Sequence, residues 1–279
     1  MTTSEARSSF LELAARPDDE IDLAVAALLI AKEEYPEMVV AEYVSRLGGL
    51  ADQLRPRLSG LQGNPFAMID ALNGYLFREV GFRGNQEEYF DARNSFLNDV
   101  LDRKRGIPIT LSLVYMEVAR RLEFPLEGVG FPGHFLVRHR DAGREILIDP
   151  FHAGEILLPD DCRRRLKAAH GADVPLTASF FHAVTRKQIL ARMLNNLKHI
   201  YMKAKDHGRV VSVADRIIAL APGEPAHLRD RGFAHLQLDH YGRAVEDLEA
   251  YIESSPMGGD LPEIRKQIKA IHRLTAMLN

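Results

Sequence analysis

The sequence predicts an α+β chain in three parts: a helical N-terminal layer, a central helix followed by a small antiparallel sheet, and an all-helical C-terminal region. Three observations predict it. Apolar residues recur at helical spacing from Ile21 to Phe82, short alternating segments with turn signals lie between Leu126 and Phe151, and a 34-residue period runs through the helical pattern that begins at Arg186.

With 279 residues, 46% of them hydrophobic, the chain can bury one large core or two medium ones. The longest unbroken apolar run, Leu23 to Ala31, has nine residues, about half of the ~20 that a membrane-spanning helix requires. The start M-T-T-S-E-A-R-S-S lacks the apolar core of a signal peptide, so a cytoplasmic protein is expected. The single cysteine, Cys162, can form no internal disulfide, and no His/Cys cluster has ligand spacing. No metal or other cofactor is therefore expected, and His139 and His152 read as scattered residues. A net charge of -3 with mixed signs gives no electrostatic case for binding nucleic acid or a membrane surface. The runs Arg103-Lys104-Arg105 and Arg163-Arg164-Arg165 read as solvated faces.

In chain order, the N-terminal layer should hold three helical segments, broken at Pro36, near Pro56 to Ser59, and at Gly81 to Gly84. Asn64-Pro65 opens the third, with the Asn as cap and the Pro in the first turn. Asn94 and Ser95 open a short helix with Phe96, Leu97, Val100 and Leu101 on one side, and Gly106 ends it. A helix from Ile107 to Leu122 follows, with Pro108 in its first turn, where the missing N–H costs nothing. Its first half, I-P-I-T-L-S-L-V-Y-M, is apolar on nearly every side, so protein should surround it.

Pro125 ends that helix, and Leu126 to Phe131, His134 to His139 and Arg144 to Phe151 read as strands. The last two should form a hairpin through Asp141-Ala142-Gly143. If it is symmetric about Ala142-Gly143, paired positions sum to 285, so that Leu136 faces Asp149 and His134 faces Phe151. His134 and Asp149 then lie diagonally on one face, whereas a three-residue loop would send them to opposite faces. Pro132-Gly133 suggests a sharp turn that delivers the His134 ring. Pro159 to Ala169 should be helical, with a less regular stretch to about Thr185.

Beyond that point the period appears in pairs 34 apart: Pro222 and Pro256, Leu194 and Leu228, Ala214 and Leu248, Tyr201 and His235. This is the period of the tetratricopeptide repeat. Leu228, Gly232, Ala244, Leu248 and Pro256 stand at its marker positions in the second copy, and the first copy departs from the pattern with Lys198 in place of a small residue. A helix from Leu261 to Met277 would cap the array. The domains expected are 1–185 and 186–279.

The line L-D-R-K-R-G-I-P-I-T-L-S-L-V-Y-M-E-V-A-R-R-L, the motif P-G-H-F-L and the motif L-I-D-P-F, followed by the repeats, resemble the bacterial SirB-type family of transglutaminase-like proteins. The resemblance implies a papain/transglutaminase-like core, a helical extension before it and a repeat module after it. Active members of the wider superfamily carry Gly-x-Cys at the start of the central helix, where the thiolate gains from the helix N-terminus and a facing histidine. Gly106-Ile107-Pro108 lies on that motif without a gap, because the distance onward to L-E-F-P is preserved. Pro108 then takes the nucleophile position, and His134 and Asp149 match the superfamily's His and Asp.

Proline offers no nucleophilic atom, so two readings of different class stand, beside a third in which the domain is purely structural and presents the repeats to a larger assembly. In the first, the chain is a non-enzymatic interaction or regulatory protein, its partner a protein or peptide held by the repeats and by a cleft near His134. In the second, Ser112 or Thr110 serves His134 and Asp149 in a hydrolase or acyltransferase, which requires a hydroxyl within about 3.2 Å of a His134 ring nitrogen. Ser112 shares the helix face of Pro108 one turn further on, and Thr110 points nearly the opposite way. The competing structural role for Ser112 is a bond to the carbonyl one turn earlier, and for His134 an orienting bond to Asp149. Asn94 and Ser95 read as braces for the Pro108 loop, and Cys162 as a passive surface or half-buried thiol.

Overall fold

The N-terminal layer is made of short helices whose breaks fall where proline and glycine interrupt the apolar period. The structure, a computed structural model, describes residues 3–141, 143–171 and 174–278. Its first helices are α1 (Thr3–Ala14), α2 (Leu23–Lys32), α3 (Val40–Leu54) and α4 (Pro65–Asn73), and a π-helical turn, Gly74–Glu79, extends α4. Asn64 caps α4 as expected: its side-chain oxygen accepts from the Ala67 N–H at 3.1 Å. Helix α1 was not expected. It buries Ala6, Phe10, Leu13 and Ala14, an apolar stripe too sparse to stand out beside its polar residues.

A two-residue strand β1 (Arg83–Gly84) leads to α5 (Leu97–Arg103), and β2 (Arg105–Gly106) pairs with β1 in parallel. Helix α6 (Pro108–Arg121) follows, and every residue from Pro108 to Ala119 is buried. Its all-round apolar first half thus has the environment such a helix requires. Helix α6 packs against α3 and α5 on the helical side.

The sheet has four antiparallel strands in the order β3 (Glu127–Val129), β4 (Leu136–Asp141), β5 (Arg144–Asp149) and β6 (Glu155–Leu157). The β4–β5 ladder runs from Asp141↔Arg144 to Val137↔Ile148, so each pair sums to 285 and the two-residue loop holds; Ala142 itself lies outside the described residues. Three details differ from the expected strands. His134 does not belong to β4: Pro132 and Gly133 form a tight turn, with Gly133 at φ 69 and the His134 N–H donating to the Phe131 carbonyl at 3.0 Å. The ladder ends before the Leu136 and Asp149 pair, and those residues oppose Val129 on β3 and Glu155 on β6. After Asp149 the chain leaves the strand in a 3-10 turn, Pro150–His152, and then adds β6, a strand too short to show in the sequence pattern.

Helix α7 (Pro159–His170) covers part of the sheet. Cys162 and Leu166 from α7 join Val129, Phe131, Leu136 and Leu157 in a buried cluster. Helix α8 (Arg186–Lys203) comes next, after a stretch in which Ala172 and Asp173 lie outside the described residues.

The chain divides into two compact units, Met1–Ile189 and Leu190–Asn279. The second contains the helices α9 (His207–Leu220), α10 (Ala226–Gln237), α11 (Tyr241–Ser254) and α12 (Leu261–Leu278). Gly232 of α10 sits so close to α11 that a Cβ there would lie 2.9 Å from Leu248 Cγ, which is why a small residue is required at that marker position. Leu248, Tyr251, Leu261, Ile264 and Ile268 form the core between α11 and the capping α12. Lys198 departs from the repeat pattern but is compensated: its buried ammonium donates to Asp230 at 2.6 Å and to His227 Nδ1 at 2.8 Å. Arg231 likewise bridges Asp215 and Asp247.

Candidate functional site

Two short segments of the N-terminal unit carry the residues singled out by the sequence, and each is built by its local chain. The first is the start of α6. Thr110 is the third residue of the helix, and its hydroxyl accepts from the Ile107 N–H at 3.1 Å, which satisfies one of the donors a helix start leaves open. The same hydroxyl donates to the Asn94 carbonyl at 2.8 Å. Asn94 is itself buried and held, donating to the Glu88 carbonyl at 2.7 Å and accepting from Asn85 at 3.0 Å. Asn94 therefore braces the Pro108 end of the helix, as expected. Ser95 is buried beside it, its hydroxyl without a hydrogen-bond partner.

Ser112 is also fully buried, and its hydroxyl has no hydrogen-bond partner. It makes neither the expected bond to the preceding turn nor one to a histidine. Neither Thr110 nor Ser112 thus presents its hydroxyl to a His134 nitrogen. Cys162, expected as a passive surface or half-buried thiol, is fully buried in the cluster under α7. Burial, aided by the Asp161 charge, pushes its thiol pKa up, so it is held as an unreactive thiol.

The second segment is the close of β5. Asp149 is fully buried, yet five groups address its carboxylate. Oδ1 accepts from the Phe151 N–H at 3.0 Å and from the His152 N–H at 3.3 Å, because the chain turns sharply through Pro150. Oδ2 accepts from His134 Nε2 at 2.9 Å and from His152 Nδ1 at 2.8 Å, and Arg165 Nη2 lies 3.1 Å away. Burial alone would push this carboxyl up in pKa. The hydrogen bonds from His134 and His152, with the charges of His134 and Arg165, overcome it and hold the group well below the usual carboxylate range. Asp149 is a fixed anion, so each imidazole must present an N–H to it. With Nε2 of His134 so committed, acid–base chemistry by that ring would run through Nδ1.

The His134 side chain is 14% exposed and that of His152 is 35% exposed, so the site opens on the His152 side. Phe151 packs edge-on against both rings, with centroids 5.9 Å from His134 and 5.1 Å from His152. Tyr89 continues that aromatic edge at 6.1 Å from Phe151, and beyond it stands Phe90, 70% exposed. Gly154 fixes the turn after the site. Its φ is 76, and a Cβ there would fall 1.9 Å from Asn73 Oδ1, while Asn73 donates to the Gly154 carbonyl and accepts from the Tyr115 hydroxyl on α6. A cavity of ≈ 610 Å³ opens elsewhere in the unit, lined by Asp18, Met116, Arg120 and Arg186 among others and not by His134.

The sequence brought His134 to Asp149 correctly but missed His152 and Arg165. His152 is not scattered: with His134 and Asp149 it places three ligand-type atoms within 4.8 Å of one another. Asp149 and His152 are three residues apart across a proline turn, a spacing that could have flagged the pair. Arg165 could not be foreseen, since it reaches the site only because α7 returns over β6.

A family profile described as the transglutaminase-like superfamily matches residues 41–195, and one described as the tetratricopeptide repeat matches residues 197–269. A UPF0162 protein of Xylella fastidiosa (strain 9a5c) is 39% identical over 256 residues, which cover 91% of this chain and 91% of that protein. A UPF0162 protein of Vibrio cholerae is 29% identical over 254 residues, covering 91% of this chain and 93% of its own. The human F-box only protein 21 is 38% identical over 138 residues, 47% of this chain but 21% of that protein.

Proposed function

The chain belongs to the transglutaminase-like superfamily and, within it, to the bacterial UPF0162 family with tetratricopeptide repeats, and from that premise we propose that it is a non-catalytic member that binds a protein or peptide partner. In this reading residues 1–185 are a transglutaminase-like domain whose nucleophile position is taken by Pro108, and residues 186–279 are the repeat module that engages the partner. The region beside His134 and Asp149 adds a second contact surface. The finer affiliation with SirB-type proteins and a cytoplasmic location belong to the same proposal. Among the described residues no helix is long and apolar enough to cross a membrane.

The observation that carries the reading is the lack of a usable nucleophile among the residues named for that role. Pro108 offers none, Thr110 gives its hydroxyl to the Asn94 backbone, and Ser112 is buried without a bond to either imidazole. A hydroxyl needs a base in contact before it attacks a carbonyl, which disfavours the hydrolase or acyltransferase alternative. The repeats supply the interaction side, since stacked helical hairpins of this kind present a surface to extended or helical segments.

The test is a turnover assay on the full chain with activated esters and with glutamine-containing peptides plus a primary amine. No turnover above that of His134→Ala is expected. Turnover by the wild-type chain that disappears in both His134→Ala and Ser112→Ala would overturn the proposal in favour of the serine alternative.

A further inference from the structure

We propose that His134 Nε2, Asp149 Oδ2 and His152 Nδ1 form a binding site for one divalent transition-metal ion of the zinc class. The argument starts from an imbalance. Three donors, two imidazole N–H groups and the Arg165 guanidinium, converge on the single oxygen Oδ2 at 2.9, 2.8 and 3.1 Å. A carboxylate oxygen offers about two lone-pair directions. Moreover, Arg165 Nη1 lies 3.1 Å from His152 Nδ1, a nitrogen that cannot accept while its proton points at Asp149. Donors thus outnumber acceptors at this point, and hydrogen bonds alone leave two nitrogens competing for the same lone pairs.

A divalent ion at that point displaces both imidazole protons, which shift to the other nitrogen of each neutral ring or pass to solvent from a charged one. Each ring then offers a lone pair, and one cation takes all three ligand atoms. Two imidazoles and one carboxylate suit zinc and its neighbours rather than magnesium or calcium, which prefer all-oxygen shells. The ligand atoms lie within 4.8 Å of one another. Tetrahedral zinc sets neighbouring N and O ligands about 3.3 Å apart, so the two hydrogen-bonded pairs must open by roughly half an ångström. The two ring nitrogens, within 4.8 Å of each other, must come to the same spacing, and the partly exposed His152 ring is the one with room to turn.

The surroundings fit a ligand set. Oδ1 of Asp149 is anchored by two backbone N–H groups, which leaves Oδ2 aimed at the point of convergence, as outer-shell bonds orient metal-binding carboxylates. Arg165 need not be expelled. Its Nη2 already bonds Glu155 at 2.6 Å, closer than its 3.1 Å approach to Asp149, so Glu155 can retain the guanidinium while an ion takes its place at Oδ2. The remaining coordination positions would face the open His152 side.

Purified full chain, stripped with chelator, is titrated with Zn²⁺ by calorimetry and with Co²⁺ by visible absorption. One ion per chain is expected, with the intense d–d bands of a four- or five-coordinate cobalt centre, and both signals should vanish in His152→Ala and in His134→Ala. Arg165→Gln, which removes the competing cation, should bind at least as tightly as wild type, and Mg²⁺ should not compete. No binding by the wild-type chain, or equal binding by wild type and His152→Ala, overturns the proposal. So does binding by Arg165→Gln alone, because the guanidinium would then be the resident cation. None of these outcomes bears on whether the chain turns over substrate.

Discussion

At the start of α6 the polar side chains are turned into the protein, whereas at the close of β5 they converge on one carboxylate near solvent. Thr110 gives its hydroxyl to the backbone and Ser112 is sealed in the core. Asp149, equally buried, holds five groups in place, and two of them, His134 and His152, keep part of their rings exposed. A catalytic line of nucleophile, base and orienting acid needs both ends. Here His134 and Asp149 share a hydrogen-bond network, while the hydroxyls of Thr110 and Ser112 are buried in packing. Under the proposed non-catalytic reading, the network at Asp149 serves to hold the turn, to bind a partner or to hold an ion rather than to activate a residue of α6.

The sharpest way to break this contrast is to remove its polar end. Asp149→Ala leaves two imidazoles, a guanidinium and two backbone N–H groups without their acceptor, and should cost about 3–5 kcal/mol in chemical unfolding. A loss below 1 kcal/mol would mean that the network contributes little to the fold. The carboxyl is lowered in pKa by folding, so its contribution is present above the ordinary carboxylate value of about 3.9 and is lost as the pH falls below it toward the lowered value. The stability difference between wild type and Asp149→Asn should therefore shrink as pH is lowered from 5 to 2.

The α6 end should respond to substitution as packing does. Thr110→Val keeps the shape but strands the Asn94 carbonyl and the Ile107 N–H, at about 1–3 kcal/mol. Thr110→Ser should recover most of that. Ser112→Ala removes a buried hydroxyl that has no partner, so the expected change is within about 1 kcal/mol of zero, with stabilisation the favoured sign. A larger destabilisation by Ser112→Ala would show that the hydroxyl is engaged after all, and would weaken the contrast.

Much of this architecture was legible in the sequence, for reasons that are local. The Asn64 cap, the apolar run of α6 and the two-residue hairpin loop are each set by residues within a few positions of one another. The 285 register then brought His134 and Asp149 together from opposite strands. What escaped depended on the chain returning from further away or on elements too short to carry a period. Strand β6 spans three residues. The Arg165 contact needs β6 and α7 to bring a guanidinium back over Asp149. His152 was readable in principle, but its role appears only once Pro150 is seen to turn the backbone so that residues 149 and 152 face each other. The apolar alternation after His134 extends a strand over it, although Pro132-Gly133 marks the turn that carries it.

The proposed reading gives Pro108 the position of a lost nucleophile that faced His134. Pro108→Cys tests it most directly. The thiol pKa is read from thiolate absorbance in the ultraviolet, as a difference against the wild-type chain so that Cys162 cancels, and again in the presence of His134→Ala. The account predicts a value clearly below the ~8.5 of an unperturbed cysteine, rising when His134 is removed. A pKa at or above that of an ordinary cysteine, indifferent to His134, would contradict it.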